Sequence, residues 1–219
     1  MVLRKRRGNL IQIKLPPPRL KSKVSLEETI AKRRSIRRYR AGPLTLLQLS
    51  QILWSAQGIT GAGKLRAAPS AGATYPLEVF AFVGKEGVIA SEAKQAKAKL
   101  QPGIYHYDVD SHSLLLHQSG DLREKLAEAA LDQGLIANAP VDIVICALYT
   151  RTSYRYGRRG ERYVHMEAGH VGENIHLQAV ALGLATVEVG AFNDEMVRKV
   201  LGLEDQIKPL CIMPIGGAL

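Results

Sequence analysis

The sequence predicts an α+β fold in which helices flank a mainly antiparallel central sheet. Three observations lead there. Residues 141–148 read as one apolar run, the pattern of a strand covered on both faces. Residues 104–108 and 114–118 read as two short strands joined by a turn at Asp110-Ser111, which is a hairpin pattern. Strand and helix patterns then mix along the chain without the strict alternation of a parallel βαβ sheet.

Taken in order, residues 1–24 form a basic, proline-containing arm, and residues 25–219 form a single domain. Lys14-Leu15-Pro16-Pro17-Pro18 is extended, because proline fixes its own backbone and pushes the preceding residue out of helix. Ser25-Leu26-Glu27-Glu28 has the spacing of a capping box and opens a helix to about Arg34. Thr45-Leu46-Leu47-Gln48 opens a second helix, with Leu46, Leu49, Ile52, Leu53 and Ala56 on one face and Gly58 as its stop. Residues 59–76 are a Gly- and Ala-rich loop leading to a strand over 77–83. A helix follows from Asp121 to about Ala130, and residues 150–160 read as a basic loop. The longest helix runs from Arg162 to Leu182, where Ala168, Gly169, Gly172 and Ala179 make it thin enough to pack closely on another helix. A strand over 184–189, a short helix capped by Asn193 and a closing strand over 209–215 complete the chain.

Composition narrows the function classes. A chain of 219 residues with 46% hydrophobic content can build one sizeable core. No apolar run approaches the roughly 20 residues needed to span a bilayer, and Leu10-Ile11-Gln12-Ile13 is too short for a signal-peptide core, so a cytoplasmic protein is expected. Cys146 and Cys211 lie far apart in apolar runs and read as buried thiols. The net charge of +10 is uneven: residues 1–40 carry +12 and the remainder −2. The tail Arg4-Lys5-Arg6-Arg7 has the charge of a nucleic-acid arm, but no nucleic-acid-binding motif accompanies it. It reads as a solvated tail, and nucleic acid is not the expected partner.

Several motifs fail on their chemistry. Gly58-Ile59-Thr60-Gly61-Ala62-Gly63-Lys64 begins like a phosphate-binding loop, but Leu65 replaces the magnesium-binding hydroxyl and a helix precedes it instead of a strand. Glu167-x-x-His170 and Glu173-x-x-His176 have the spacing of a di-iron ligand pair. Both lie on one helix six residues apart and so point in different directions. No zinc spacing and no Gly-x-Ser-x-Gly nucleophile elbow occurs, so no metal is expected.

Three segments survive. Arg33, Arg34, Ser35 and Arg37 place guanidinium forks and a hydroxyl within five residues, as a phosphate monoester requires. A helix C-terminus favours arginine as well, so the cluster alone leaves both readings open. Pro69, Ser70, Ala71 and Gly72 are small, letting backbone approach a flat ligand. Val189, Gly190 and Ala191 end a strand just before a helix cap, where backbone N–H groups are expected to be free.

Together, Arg33-Arg34-Ser35-Ile36-Arg37-Arg38-Tyr39, Ala68-Pro69-Ser70-Ala71-Gly72 with Tyr75-Pro76, Glu167-Ala168-Gly169-His170 with Asn174, and Gly183-Leu184 leading to Val189-Gly190-Ala191-Phe192 resemble the FMN-dependent nitroreductase superfamily, in particular its SagB/ThcOx-type dehydrogenase branch. The resemblance implies a nitroreductase-like fold, an intertwined homodimer and FMN at the subunit interface. It implies that Arg33, Arg34, Ser35 and Arg37 hold the FMN phosphate and ribityl end. Pro69, Ser70, Ala71 and Gly72 would reach the flavin from the other subunit, and Val189, Gly190 and Ala191 would lie against the ring. NAD(P)H is the implied co-substrate. Azoline dehydrogenases of this branch carry a Lys-Tyr pair, and its match here is Arg155-Tyr156. Arginine keeps its proton and cannot replace lysine as a base, whereas Tyr156 can still donate one. Residues 216–219 carry no basic side chain, which leaves the anion to the arginines of residues 33–37.

Overall fold

The structure is a computed structural model that describes residues 11–89 and 99–219; the Arg4–Arg7 tail lies outside the described residues. The strands are β1 (Gln12–Lys14), β2 (Leu44–Thr45), β3 (Leu77–Val83), β4 (Val88–Ile89), β5 (Gly103–Asp108), β6 (Ser113–Ser119), β7 (Val141–Leu148), β8 (Leu184–Thr186) and β9 (Ile207–Gly217). The helices are α1 (Leu26–Lys32), α2 (Leu46–Gln57), α3 (Arg123–Ala129), α4 (Gly134–Asn138), α5 (Thr150–Tyr156), α6 (Arg159–Ala181) and α7 (Asp194–Leu201). Seven strands make one sheet in the order β1-β6-β5-β3-β7-β9-β8, and every neighbouring pair is antiparallel. β2 and β4 form a small parallel pair apart from it.

Both faces of the sheet are covered, which is why β7 reads as apolar. Val141, Ile143, Ile145 and Ala147 point into a core shared with Leu49, Ile52, Leu53 and Ala56 of α2 and Val164, Val171 and Ile175 of α6. Val144 and Cys146 point the other way, into a core closed by Leu126 of α3, Ile136 of α4 and Val197 and Leu201 of α7. Cys211 belongs to the first core and Cys146 to the second, and both are free thiols. The β7–β9 register slips between Ile145 and Cys146, opposite Cys211 and Pro209. A proline has no N–H for the ladder, and a bulge is where a sheet can accept one.

The capping signals locate the helices well. Thr45 accepts from Gln48 N, and the Gln48 side chain returns a bond to Thr45, closing the box. Ser25 accepts from Glu28 N at 3.1 Å, and Asn193 accepts from Met196 N at 3.0 Å. Gly58 ends α2 in an extended conformation, and its need for glycine is steric: a Cβ there would lie 2.2 Å from the Trp54 ring.

Four expectations change. Residues 150–160 are not a loop: Thr150–Tyr156 is helical, with Ser153 Oγ bonded to Tyr149 O, and α6 begins at Arg159, three residues earlier than its apolar pattern starts. The strand expected over 184–189 stops at Thr186, and Val189 rejoins β9 through a single bridge to Ile212. Part of the N-terminal arm enters the sheet, because Gln12–Lys14 pairs with β6 and Leu15 is buried. Arg33 already leaves α1 with an extended backbone, so the arginines do not sit on the last helical turn.

One residue breaks the apolar run of β7. Asp142 is fully buried, and neither carboxylate oxygen has a hydrogen-bond partner among the described residues. Burial pushes its pKa well above the ordinary carboxylate range, opposed by the charge of Arg123 and reinforced by Asp121. Between the unfolded and folded pKa values, the folded state holds a proton that the unfolded chain releases. That contribution is full below the unfolded pKa and is lost as pH rises toward the folded one, at up to about 1.4 kcal/mol per pH unit. Urea unfolding of the wild type and Asp142→Asn at pH 5 and pH 7 should show a smaller loss of stability with rising pH in the variant. Equal pH slopes would mean that Asp142 is ionised in the fold.

Candidate functional site

The arginine segment is an extended strip laid along the end of the sheet. Ile36 N–H donates to Thr186 O at 2.9 Å, and Arg40 N–H donates to Gly217 O at 2.9 Å. Ile36 and Tyr39 turn partly inward, while Arg34, Ser35, Arg37 and Arg38 are exposed. Arg33 faces Glu173 of α6, with Nε 3.8 Å from Oε1. Among the described residues Arg34 bonds only to the backbone carbonyls of Ala31 and Arg33, at 3.1 and 2.6 Å. Arg37 and Arg38 have no carboxylate partner among the described residues. Among the described residues, the one carboxylate paired with the strip, Glu173, meets Arg33 alone.

The bond from Ile36 to Thr186 sets this strip beside the chain that continues from β8 to Val189, Gly190 and Ala191. The expectation of three free N–H groups there needs correcting. Val189 N–H is used, donating to Ile212 O at 2.8 Å. Gly190 and Ala191 are exposed, and no acceptor for their N–H groups is found among the described residues. A Cβ at Gly190 would meet nothing within 4 Å, so the space before these two amides is open. Gln133 Nε2 fixes the turn by donating to Ala191 O at 2.8 Å.

The second group of residues assembles elsewhere. Pro69 and Gly72 are exposed, Ser70 and Ala71 half-buried. Arg155 Nη1 donates to Gly72 O at 3.4 Å, and Thr74 and Thr152 hydroxyls meet at 2.7 Å, so α5 carries the loop. Gly72 has φ +59°, and a Cβ on it would lie 2.6 Å from the Tyr156 hydroxyl. Only glycine satisfies both conditions. The sequence-predicted Arg155-Tyr156 pair therefore does meet Pro69–Gly72, on a helix instead of a loop. Tyr156 is steadied by Tyr163, edge-on at 5.1 Å.

No hydrogen bond or ion pair among the described residues joins the two groups within the chain. Both border α6, one through Glu167 and one through Glu173. Six helical residues separate these by about 9 Å along the axis and about 120° around it. The two carboxylates therefore serve different flanks of one helix, as the argument against a di-iron pair required. No cluster of metal-ligating side chains occurs among the described residues. Glu167 is buried, and burial raises its pKa against hydrogen bonds from Ser70 and Gln57 and the charge of Arg66. Burial lowers the pKa of His176, helped by Arg33.

Behind the loop lies a network that sequence reasoning missed. Arg66 stacks on the Tyr75 ring at 4.4 Å, and its Nη1 donates to Gln57 Oε1 at 2.9 Å. Gln57 Nε2 donates to Glu167 at 3.4 Å. Tyr75 N–H donates to Ser70 Oγ at 2.9 Å, and Arg151 holds Tyr75 O at 2.9 Å and Glu78 at 2.6 Å. Glu78 also binds His106 Nε2 at 2.6 Å, and these partners overcome burial to hold its pKa below the usual carboxylate range. The one available signal was Glu78 itself, a charge within an apolar strand. The former phosphate-loop candidate is an irregular turn whose Lys64 pairs with Asp110 at 2.9 Å. No helix among the described residues is long and apolar enough to cross a membrane.

Comparison with known proteins places the chain in a family. Residues 30–217 match the Nitroreductase family. A Methanocaldococcus jannaschii protein provisionally named a nitroreductase, MJ1384, is 43% identical over 209 residues, covering 95% of this chain and 98% of its own. The Escherichia coli microcin B17-processing protein McbC is 26% identical, over 79% of this chain and 62% of its own. A Ralstonia eutropha crystal structure, likewise provisionally called a nitroreductase, superposes with a TM-score of 0.78 at 28% identity, covering 95% of this chain and 90% of that one. With the family matched over most of the chain and the same overall fold in a solved relative, this chain is an oxidoreductase that belongs to the nitroreductase family.

Proposed function

We propose that the chain is an FMN-dependent oxidoreductase working as a homodimer, in which each site draws Arg33, Arg34, Ser35, Arg37, Gly190 and Ala191 from one copy and Pro69–Gly72 from the other. The observation that carries this reading is the separation of the two groups. Each group is locally complete and open, yet the chain sends them to different flanks of α6. A second copy can bring them together; the first cannot close on itself without breaking its core.

The donors suit the group. The exposed guanidiniums and Ser35 match a phosphate and its polyol stem. The open amides of Gly190 and Ala191 match the electron-rich edge of a flat ring. When bound, FMN supplies the redox chemistry, carrying two electrons from NAD(P)H or an organic donor to an acceptor such as a nitro compound or quinone. The chain's own residues bind, orient and shield. No strong acid or base is required of them, in keeping with the lack of a triad.

A second reading, azoline oxidation on a modified peptide, has support from the likeness to the microcin-processing protein and from the place of Tyr156 against the loop. Arg155 cannot serve as its base. Tyr156→Phe separates the readings. NAD(P)H-dependent quinone reduction should change by less than about threefold, whereas oxidation of a thiazoline peptide, which gives up a ring proton as well as a hydride, should fall about 100-fold if Tyr156 takes part in removing that proton.

Purified protein should be yellow, and Arg33→Ala with Ser35→Ala should weaken FMN binding by about 10- to 100-fold in a fluorescence titration. An unaltered affinity would place the phosphate elsewhere. Shared sites have a further consequence. Arg33→Ala/Arg37→Ala and Ser70→Trp proteins, each unable to bind FMN alone, should regain about a quarter of the wild-type sites when refolded together, because half the dimers are mixed and each holds one intact site. No recovery would mean that each site is built from one chain.

A further inference from the structure

A groove of about 1580 Å³ opens behind the loop of residues 69–75. It exists because β3 and β5 part company. They pair from Val83↔Gly103 to Phe80↔His106, and beyond that Leu77–Val79 pairs with β7 alone and Tyr107–Asp108 with β6 alone. None of the cofactor segments, Arg33–Arg37, Pro69–Gly72 or Val189–Ala191, lines this space. It is a separate concavity that shares only Thr74 and Tyr75 with the loop.

Three arginines line the groove, and two are neutralised. Arg151 pairs with Glu78 at 2.6 Å, and Arg198 pairs with Glu195 and Asp205 at 2.7 Å each. Arg66 makes no ion pair among the described residues. Among the described residues its guanidinium reaches a single acceptor, Gln57 Oε1, and lies with one face on Tyr75. The Nε and Nη2 donors of a rigid five-donor fork are left over. Burial works against its charge and lowers its pKa, which is the condition of a guanidinium taken partly out of water. The nearby carboxylates do not turn toward it. Glu78 spends both oxygens on Arg151 and His106, and Glu167 is engaged by Gln57 and Ser70.

These features define a ligand. Idle, partly desolvated guanidinium donors call for an oxyanion. The charges of Glu78 and Glu167, both felt at Arg66, would repel a dianion more than a monoanion. Tyr75 lies against Arg66, and Leu77, Val79 and Leu116 add apolar lining; the lining also holds Asp108, Glu204, and Asp110 and Asp205, the last two paired with Lys64 and Arg198. We propose that this groove binds a carboxylate carried on an extended apolar body, with the carboxylate on the free donor edge of Arg66 and the body along the gap between β3 and β5.

Isothermal titration of the full chain with 4-phenylbutyrate, with its neutral amide and with phenyl phosphate tests this. The carboxylate should bind at least about 10-fold more tightly than the amide, as one charge-assisted contact supplies. The preference should be the same with and without saturating FMN. Arg66→Gln should remove the preference while leaving amide binding in place, and a melting curve shows whether that variant is folded. Should it not fold, Arg66→Lys, which keeps a point charge but loses the fork, should keep a reduced preference for the acid, and an undiminished one would overturn the assignment. Equal binding of acid and amide, no binding of either, tighter binding of phenyl phosphate, or loss of the carboxylate site on adding FMN would each overturn the assignment. The last of these would put the groove inside the cofactor site.

Discussion

Helix α6 can offer Glu167 to one neighbour and Glu173 to another only because a third stripe of its surface is locked into the core. Val164, Ala168, Val171, Ile175 and Ala179 are buried against the sheet and α2. That packing fixes the rotation of a 23-residue helix and therefore what its flanks present. On one flank Glu167 is buried beside Ser70 and Gln57, tying down the loop. On the other, Glu173 stands beside Arg33 without neutralising the arginine strip. Turning the helix to bring the two groups together would expose the apolar stripe. Burial of that stripe is worth roughly 1.5–3 kcal/mol for each large side chain, more than any surface ion pair returns.

Charge is handled differently on the two flanks. Behind the loop, cations are mostly met by acceptors: Arg151 by Glu78 and Tyr75 O, Lys64 by Asp110, with Arg66 the exception. Along the strip, Arg34, Arg37 and Arg38 have no carboxylate partner among the described residues. A folded chain tolerates such a strip because the arginines are exposed and water screens them. The same exposure leaves their donors available. The loop's polar groups are met by local partners, and the strip stays receptive because its own are not.

Much of the fold was legible because the signals were local. The Thr45–Gln48 box, the Asn193 cap and the apolar spacing of α2 depend on neighbours within one or two turns. The large antiparallel sheet followed from the apolar run and the hairpin. What could not be read depended on long-range contact. The helix over Thr150–Tyr156 is polar and arginine-rich, and it forms because Thr152 meets Thr74 and Arg155 meets Gly72, residues about 80 positions away. Val189 lost its free N–H to Ile212 across the sheet, where no local pattern could show it. For the same reason the site residues were identifiable as types, while Arg66 and Gln57 had no periodicity or motif to single them out.

The loop itself shows why the network behind it is needed. Gly72, Ala73 and Tyr75 all have positive φ, at +59°, +52° and +45°. Glycine takes that conformation freely, but Ala73 and Tyr75 each give up about 1–2 kcal/mol. Those costs must be offset by contacts that exist only in this conformation. Tyr75 has four: its N–H to Ser70, its carbonyl from Arg151, its hydroxyl from Arg66 N–H at 3.2 Å, and its ring under the Arg66 guanidinium. The same contacts form the near wall of the groove. Arg66 and Arg151 thus hold the Tyr75 backbone while also lining the groove.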